Sequence, residues 1–177
     1  MQPMTPKPRL RSRRKERALA ITEFAVLIPL LLMLFVSVVD ISRIIYMRQA
    51  LADLTRETGS LISRGTPIEV ALNQVVRTGF VFDLDESGSV IISRVRRRNE
   101  DDATPWVHEQ TFSGFLAGEV SRVGQLDSEA SIPGFETLPE GVTLSAVELA
   151  FAFEPLFPIN NFGINIFPEI IYQSAFF

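Results

Sequence analysis

Residues 18–39 read ALAITEFAVLIPLLLMLFVSVV, an apolar run that follows directly on a basic tail. As a helix, its 22 residues extend about 33 Å, against a hydrocarbon core of about 30 Å. From Phe24 to Val39 it carries no charge. Such a run is a core helix of a soluble protein, a cleaved secretory signal, or a membrane span. A core helix rarely follows straight on seven cations. A secretory signal has an apolar core of about 7–15 residues and a nearby small-residue cleavage site. Here the nearest Ala-x-Ala, Ala50-Leu51-Ala52, lies well past the run, within what reads as continuing helix. The run is therefore read as a transmembrane helix.

Charge gives the orientation. Residues 1–17 hold Lys7, Arg9, Arg11, Arg13, Arg14, Lys15 and Arg17 against Glu16 alone, a net charge of +6. The rest holds ten Arg and no Lys against 20 Asp and Glu, a net charge of −10. A short basic tail on an acidic body fits a chain that spans two compartments. By the positive-inside rule the tail is cytoplasmic and residues 41–177 lie outside. The chain has no cysteine, which removes disulfides and thiol chemistry but leaves the redox compartment open.

Two residues break the pattern of a simple anchor. Glu23 places a carboxylate four residues into apolar sequence, where it must snorkel to the interface or find a cation. Pro29 removes a backbone donor and crowds the carbonyl of Ala25, so a kink is expected there.

The string from Arg17 to Phe24, RALAITEF, followed by Ala25-Val26-Leu27-Ile28-Pro29, resembles the amino-terminal signature of TadE-like proteins, pilin-like components of the bacterial tight-adherence (Flp) pilus machinery. Two later segments extend the resemblance: Ser121-Arg122-Val123-Gly124, and Val147 to Phe157, where aromatic residues alternate before Pro155. It covers roughly residues 14–158. The resemblance implies removal of a leader by prepilin peptidase between Ala18 and Leu19. Glu23 then becomes the fifth mature residue and Phe24 the sixth, with Glu23 neutralised by an α-amine during assembly. The family usually has glycine before the cut, where this chain has Ala18.

Downstream, Ile41, Ile44, Ile45, Leu51, Leu54, Leu61 and Ile62 continue a helical period to about Arg64, with Gly65 as a left-handed cap. Thr66-Pro67-Ile68-Glu69 reads as a capping box opening a second helix, with Ile68, Ala71, Leu72, Val75 and Val76 on one face and Gly79 at its end. Phe80–Leu84 and Val90–Arg98 read as a hairpin around residues 85–89, and Trp106–Phe112 as a third strand. Val142–Glu154 is the clearest strand, with Val147, Leu149, Phe151 and Phe153 alternating with Glu148, Ala150, Ala152 and Glu154. Residues 113–141 read as irregular. The phenylalanine-rich stretch 155–177, too short for a second span, reads as cover for the sheet or as an exposed patch for a partner subunit.

Little else carries chemistry. The cations Arg94, Arg96, Arg97 and Arg98 are followed by Glu100, Asp101 and Asp102, which argues for a solvated loop rather than a nucleic-acid surface. His108 is the only histidine, and it reads as a surface residue rather than a metal ligand or catalytic base. Asp83, Asp85 and Glu86 lack EF-hand spacing. No enzyme, metal or cofactor is expected.

The expected fold is α+β, a long amino-terminal transmembrane and amphipathic helix packed on a small antiparallel sheet, as in pilins. Its parts are a basic cytoplasmic leader (1–18), a transmembrane helix (19–40), an extracytoplasmic continuation (41–64) and an α+β domain (65–177). The expected role is a minor pilin-like subunit supporting pilus assembly at the bacterial inner membrane. Its partners would be the lipid bilayer, other pilin-like subunits, tight-adherence secretion components and prepilin peptidase, with no nucleic acid. The alternative is a stably anchored, unprocessed binding or regulatory subunit.

Overall fold

The computed structural model describes residues 10–79, 84–115, 121–156 and 167–177, and the side chains of these apart from residues 10–19, 84 and 85. The first helix, α1, spans Leu10–Ser63 and continues through Pro29. The chain divides into two compact units, one ending at Ser42 and one from Arg43 to Phe177.

In the first unit every residue from Ala20 to Phe35 is exposed. Among the described residues α1 is the one helix long and apolar enough to cross a membrane.

In the second unit α1 turns amphipathic. Ile44, Leu51, Leu54 and Ile62 are buried, while Asp53, Arg56 and Glu57 face solvent. Ile45 belongs to the apolar series by spacing yet lies exposed. Thr55 and Thr58 are wholly buried and satisfy their hydroxyls on the carbonyls of Leu51 and Leu54, both at 2.6 Å. Gly59 has a use beyond weakening the helix, because a Cβ there would meet the Phe177 ring at 1.8 Å.

The helix ends as the sequence predicts. Gly65 takes φ +89°, its amide donates to Ile62 O at 2.9 Å, and the Thr66 amide donates to Leu61 O at 3.2 Å. That pair of bonds is a Schellman cap. The expected capping box does not form. Thr66 is occupied in closing α1, and Pro67, extended at φ −56° and ψ 142°, is the N-cap of α2 (Ile68–Thr78) without a side-chain bond. The Pro67 carbonyl starts the new helix by accepting from Val70 and Ala71. Gly79 does end α2, and Ile68, Ala71, Leu72 and Val75 are its buried face.

A short helical turn, α3 (Leu84–Ser87), follows, and then four strands: β1 (Gly88–Arg97), β2 (Pro105–Gly114), β3 (Thr143–Ala152) and β4 (Ile170–Phe176). The sheet is antiparallel throughout, in the order β2-β1-β3-β4. The expected hairpin between residues 80–84 and 90–98 is corrected: β1 has β2 on one side and β3 on the other, and residues 84–87 are helical. Residues 80–83 lie outside the described residues. The end of the phenylalanine-rich stretch does more than cover the sheet, because it supplies the edge strand β4. Its residues 157–166 lie outside the described residues.

Both faces of the sheet are covered. On one, Val90 and Ile92 of β1, Val147 and Leu149 of β3 and Ile171 of β4 join the buried residues of α1 and α2 in a single core. On the other, Val95, Val107 and Ala146 pack with Val123, Ala130, Ile132 and Leu138 of the irregular segment 121–141. The core thus lies on either side of β1 and β3, and the irregular segment does for one face what helices do for the other.

Candidate functional site

The predicted site residues lie on α1 and nowhere else. The backbone of Ala18 and Leu19 is helical, and their side chains lie outside the described residues. Glu23 and Pro29 are exposed, and Phe24 is 63% exposed. Among the described residues no hydrogen bond or ion pair reaches the Glu23 carboxylate. Further along the same helix, Leu27, Leu30, Leu31, Leu34 and Phe35 present apolar surface that their own unit does not bury. Two things are therefore left for the surroundings to supply: an apolar medium or apolar helices for the leucines, and a cation or proton for the carboxylate.

A second constellation was not foreseen. Alternation along β3 puts Glu148 on the side opposite Val147. That side is covered, and Glu148 is 1% exposed. Its Oε1 accepts from the Arg122 amide at 2.7 Å and the Val123 amide at 3.3 Å. Its Oε2 lies 2.8 Å from the Ser121 hydroxyl, and the Tyr172 hydroxyl donates to Oε1. Four donors thus replace the water that a buried carboxylate loses.

Each residue of Ser121-Arg122-Val123-Gly124 has a part in this clamp. Val123 is buried in the core, and the Arg122 guanidinium stacks on the Tyr172 ring at 4.2 Å. Gly124 adopts φ +137°, and a Cβ there would meet Glu129 O at 2.8 Å. Register brings Tyr172 within reach: Tyr172 pairs with Ala150, two residues along from Glu148 on the same face of the sheet. Burial, then the bond to Glu148 and its charge, push the Tyr172 phenol well above its ordinary range. Gln110 of β2 pins the same segment, accepting from the Leu126 amide at 3.2 Å and donating to Gly124 O at 2.9 Å. The two late segments of the family resemblance are thus two halves of one contact. A glutamate inside a strongly alternating strand, far from any cation in sequence, is the only signal that could have pointed to it.

His108 is part-buried rather than an ordinary surface residue, and its Nε2 lies 3.0 Å from Arg97 O. Among the described residues no three His, Asp or Glu side chains gather to hold a metal ion. Asp83 and the side chain of Asp85 lie outside the described residues.

A long apolar helix, long and apolar enough to cross a membrane, followed by a four-stranded antiparallel sheet makes this an α+β protein whose first helix suggests membrane anchoring. The family model of TadE-like proteins matches residues 19–59, so that segment is similar to TadE-like proteins. The match associates it with the tight-adherence (Flp) pilus system. Comparison with curated proteins and with solved structures yields no match.

Proposed function

We propose that the chain is a pilin-like minor subunit, a pseudopilin, supporting assembly of a tight-adherence pilus at the bacterial inner membrane. One coincidence carries this reading. The TadE-like match opens at Leu19, the residue that would follow a cut after Ala18, and the helix from Ala20 to Phe35 is exposed along its whole length. In this reading residues 1–18 are a cytoplasmic leader removed by prepilin peptidase. Residues 19–40 first anchor the protein and then pack against the helices of other pilin-like subunits, and the domain lies in the periplasm. Glu23 is neutralised by an α-amine, its own or a neighbour's, as it enters an apolar helix bundle. The role is one of assembly rather than catalysis.

Intact mass from cells with and without prepilin peptidase tests it. Loss of residues 1–18 only when the peptidase is present is the expected result. A chain that begins at Met1 in both strains would contradict processing and favour a stably anchored binding or regulatory subunit.

A further inference from the structure

Arginine is concentrated at one end of the sheet. Four of the ten arginines in residues 18–177 lie between Arg94 and Arg98, in a body that is otherwise acidic. Two of them are engaged. Arg94 pairs with Glu109 at 2.9 Å, and Arg98 lies 3.7 Å from Asp102 and 4.4 Å from the centre of the Trp106 ring. Asp102 is fixed in turn, accepting from the Thr104 amide and hydroxyl, and those bonds hold its carboxyl below the usual range.

Arg96 and Arg97 differ. Among the described residues nothing bonds the guanidinium of Arg96, which is exposed. The Nε of Arg97 is buried without a partner, a costly state for a charged donor.

Two adjoining depressions of about 430 and 470 Å³ open beside Arg96, and Arg96, His108 and Thr143 line both. Strand register brings these three together. Arg96 stands opposite Thr143 on β3 and Trp106 on β2. A register shift between Arg94 and Val95 leaves His108 as an extra residue on β2, and bulges of this kind re-aim a side chain. Because Arg97 O can only accept, the Nε2 of His108 carries the proton in their contact.

We propose that this end of the sheet binds a compact phosphate-type oxoanion, with Arg96 as the main contact and Thr143 and His108 beside it. A guanidinium fork matches the oxygens of such an anion, and the Thr143 hydroxyl from the neighbouring strand adds a donor to one side of it, while the His108 ring, its Nε2 proton given to Arg97 O, only lines the depression. Glu100 and Glu140 line the first depression and Glu109 the second. Glu109 is neutralised by its pair with Arg94, and the carboxylates together disfavour a polyanion spread along both depressions, which separates this site from a nucleic-acid surface. The oxoanion can be free phosphate or the phosphodiester of a lipid headgroup.

The test uses the full chain in phosphatidylcholine nanodiscs, titrated with inorganic phosphate against chloride at matched ionic strength. Trp106 is the only tryptophan, and with Arg98 stacked on it, it reports on the site; calorimetry provides a second readout. A saturable response to phosphate alone is expected. Arg96→Gln should weaken it about tenfold, without change in thermal melting because Arg96 is exposed. Arg56→Gln, at an exposed ion pair on α1, should leave it unchanged. Nanodiscs containing phosphatidylglycerol separate the sources: a headgroup ligand gives the response without added phosphate and competes with it, whereas free phosphate acts alike in both bilayers. No saturable heat or emission change in either bilayer, or equal responses in wild type and Arg96→Gln, would overturn the proposal.

Discussion

Two stretches of α1, Ala20–Phe35 and Arg43–Ser63, share a backbone and differ in what they ask of their surroundings. The first is exposed on every side and has no face. The second alternates, burying Ile44, Leu51, Leu54 and Ile62 against the sheet and turning Asp53, Arg56 and Glu57 outward. A helix apolar all round is stable only in lipid or among other helices, whereas a striped one completes a fold. On the proposed reading, the domain's stability and the chain's assembly reside in different residues of one helix, so substitutions should separate them.

The largest separation is expected between two leucines. Leu51 is fully buried, and Leu51→Ala should lower domain stability by about 3–4 kcal/mol. Leu31 is 53% exposed, and Leu31→Ala should change it by less than about 0.5 kcal/mol. Denaturant titration of both variants in the same detergent checks this, and equal losses would break the comparison.

Next comes the clamp on the other face of the sheet. Glu148→Ala leaves the Arg122 and Val123 amides without their acceptor and should cost about 3 kcal/mol. The same titration measures it, and proteolysis between residues 121 and 141 should accelerate.

A smaller effect tests the packing of α1 itself. Helix propensity alone makes Gly59→Ala stabilising by about 1 kcal/mol. The Phe177 ring occupies the space of the new methyl, so we expect a net loss of about 1 kcal/mol. Adding Phe177→Ala should remove that penalty, which a double-mutant cycle would show.

The smallest effect depends on pH. The folded-state pKa of Tyr172 is raised, so the unfolded chain gives up this proton first, near about pH 10. The stability it adds is complete below that pH and is lost as pH rises through the folded value. Tyr172→Phe takes one donor from the buried Glu148 carboxylate, so it should lower stability by up to about 1 kcal/mol at neutral pH and flatten the alkaline limb of a stability–pH profile above about pH 10.

Much of the fold was legible because period and burial agree. α1, α2, β2 and β3 all follow from apolar spacing, and Gly65 marks a true left-handed cap. The errors have physical causes. Residues 84–87 carry turn chemistry, but their neighbour β1 finds its partners at β2 and β3, a long-range choice that local patterning does not contain. Thr66 looks like an N-cap, yet its amide already serves the helix before it. β4 was hidden at the end of a phenylalanine-rich stretch that breaks any period. The role of Glu148 was not legible because alternation gives the side of a strand and not what covers it, and here an irregular segment covers it with backbone amides. Of the amino-terminal site, Glu23, Phe24 and Pro29 lie exposed on one continuous helix.

The most direct test of the central claim, that the first part of α1 serves assembly rather than the fold, is Glu23→Ala in the full chain, with surface fibres counted by electron microscopy. The account predicts wild-type membrane insertion and domain melting with few or no fibres. Fibres at the wild-type level in that variant would contradict it.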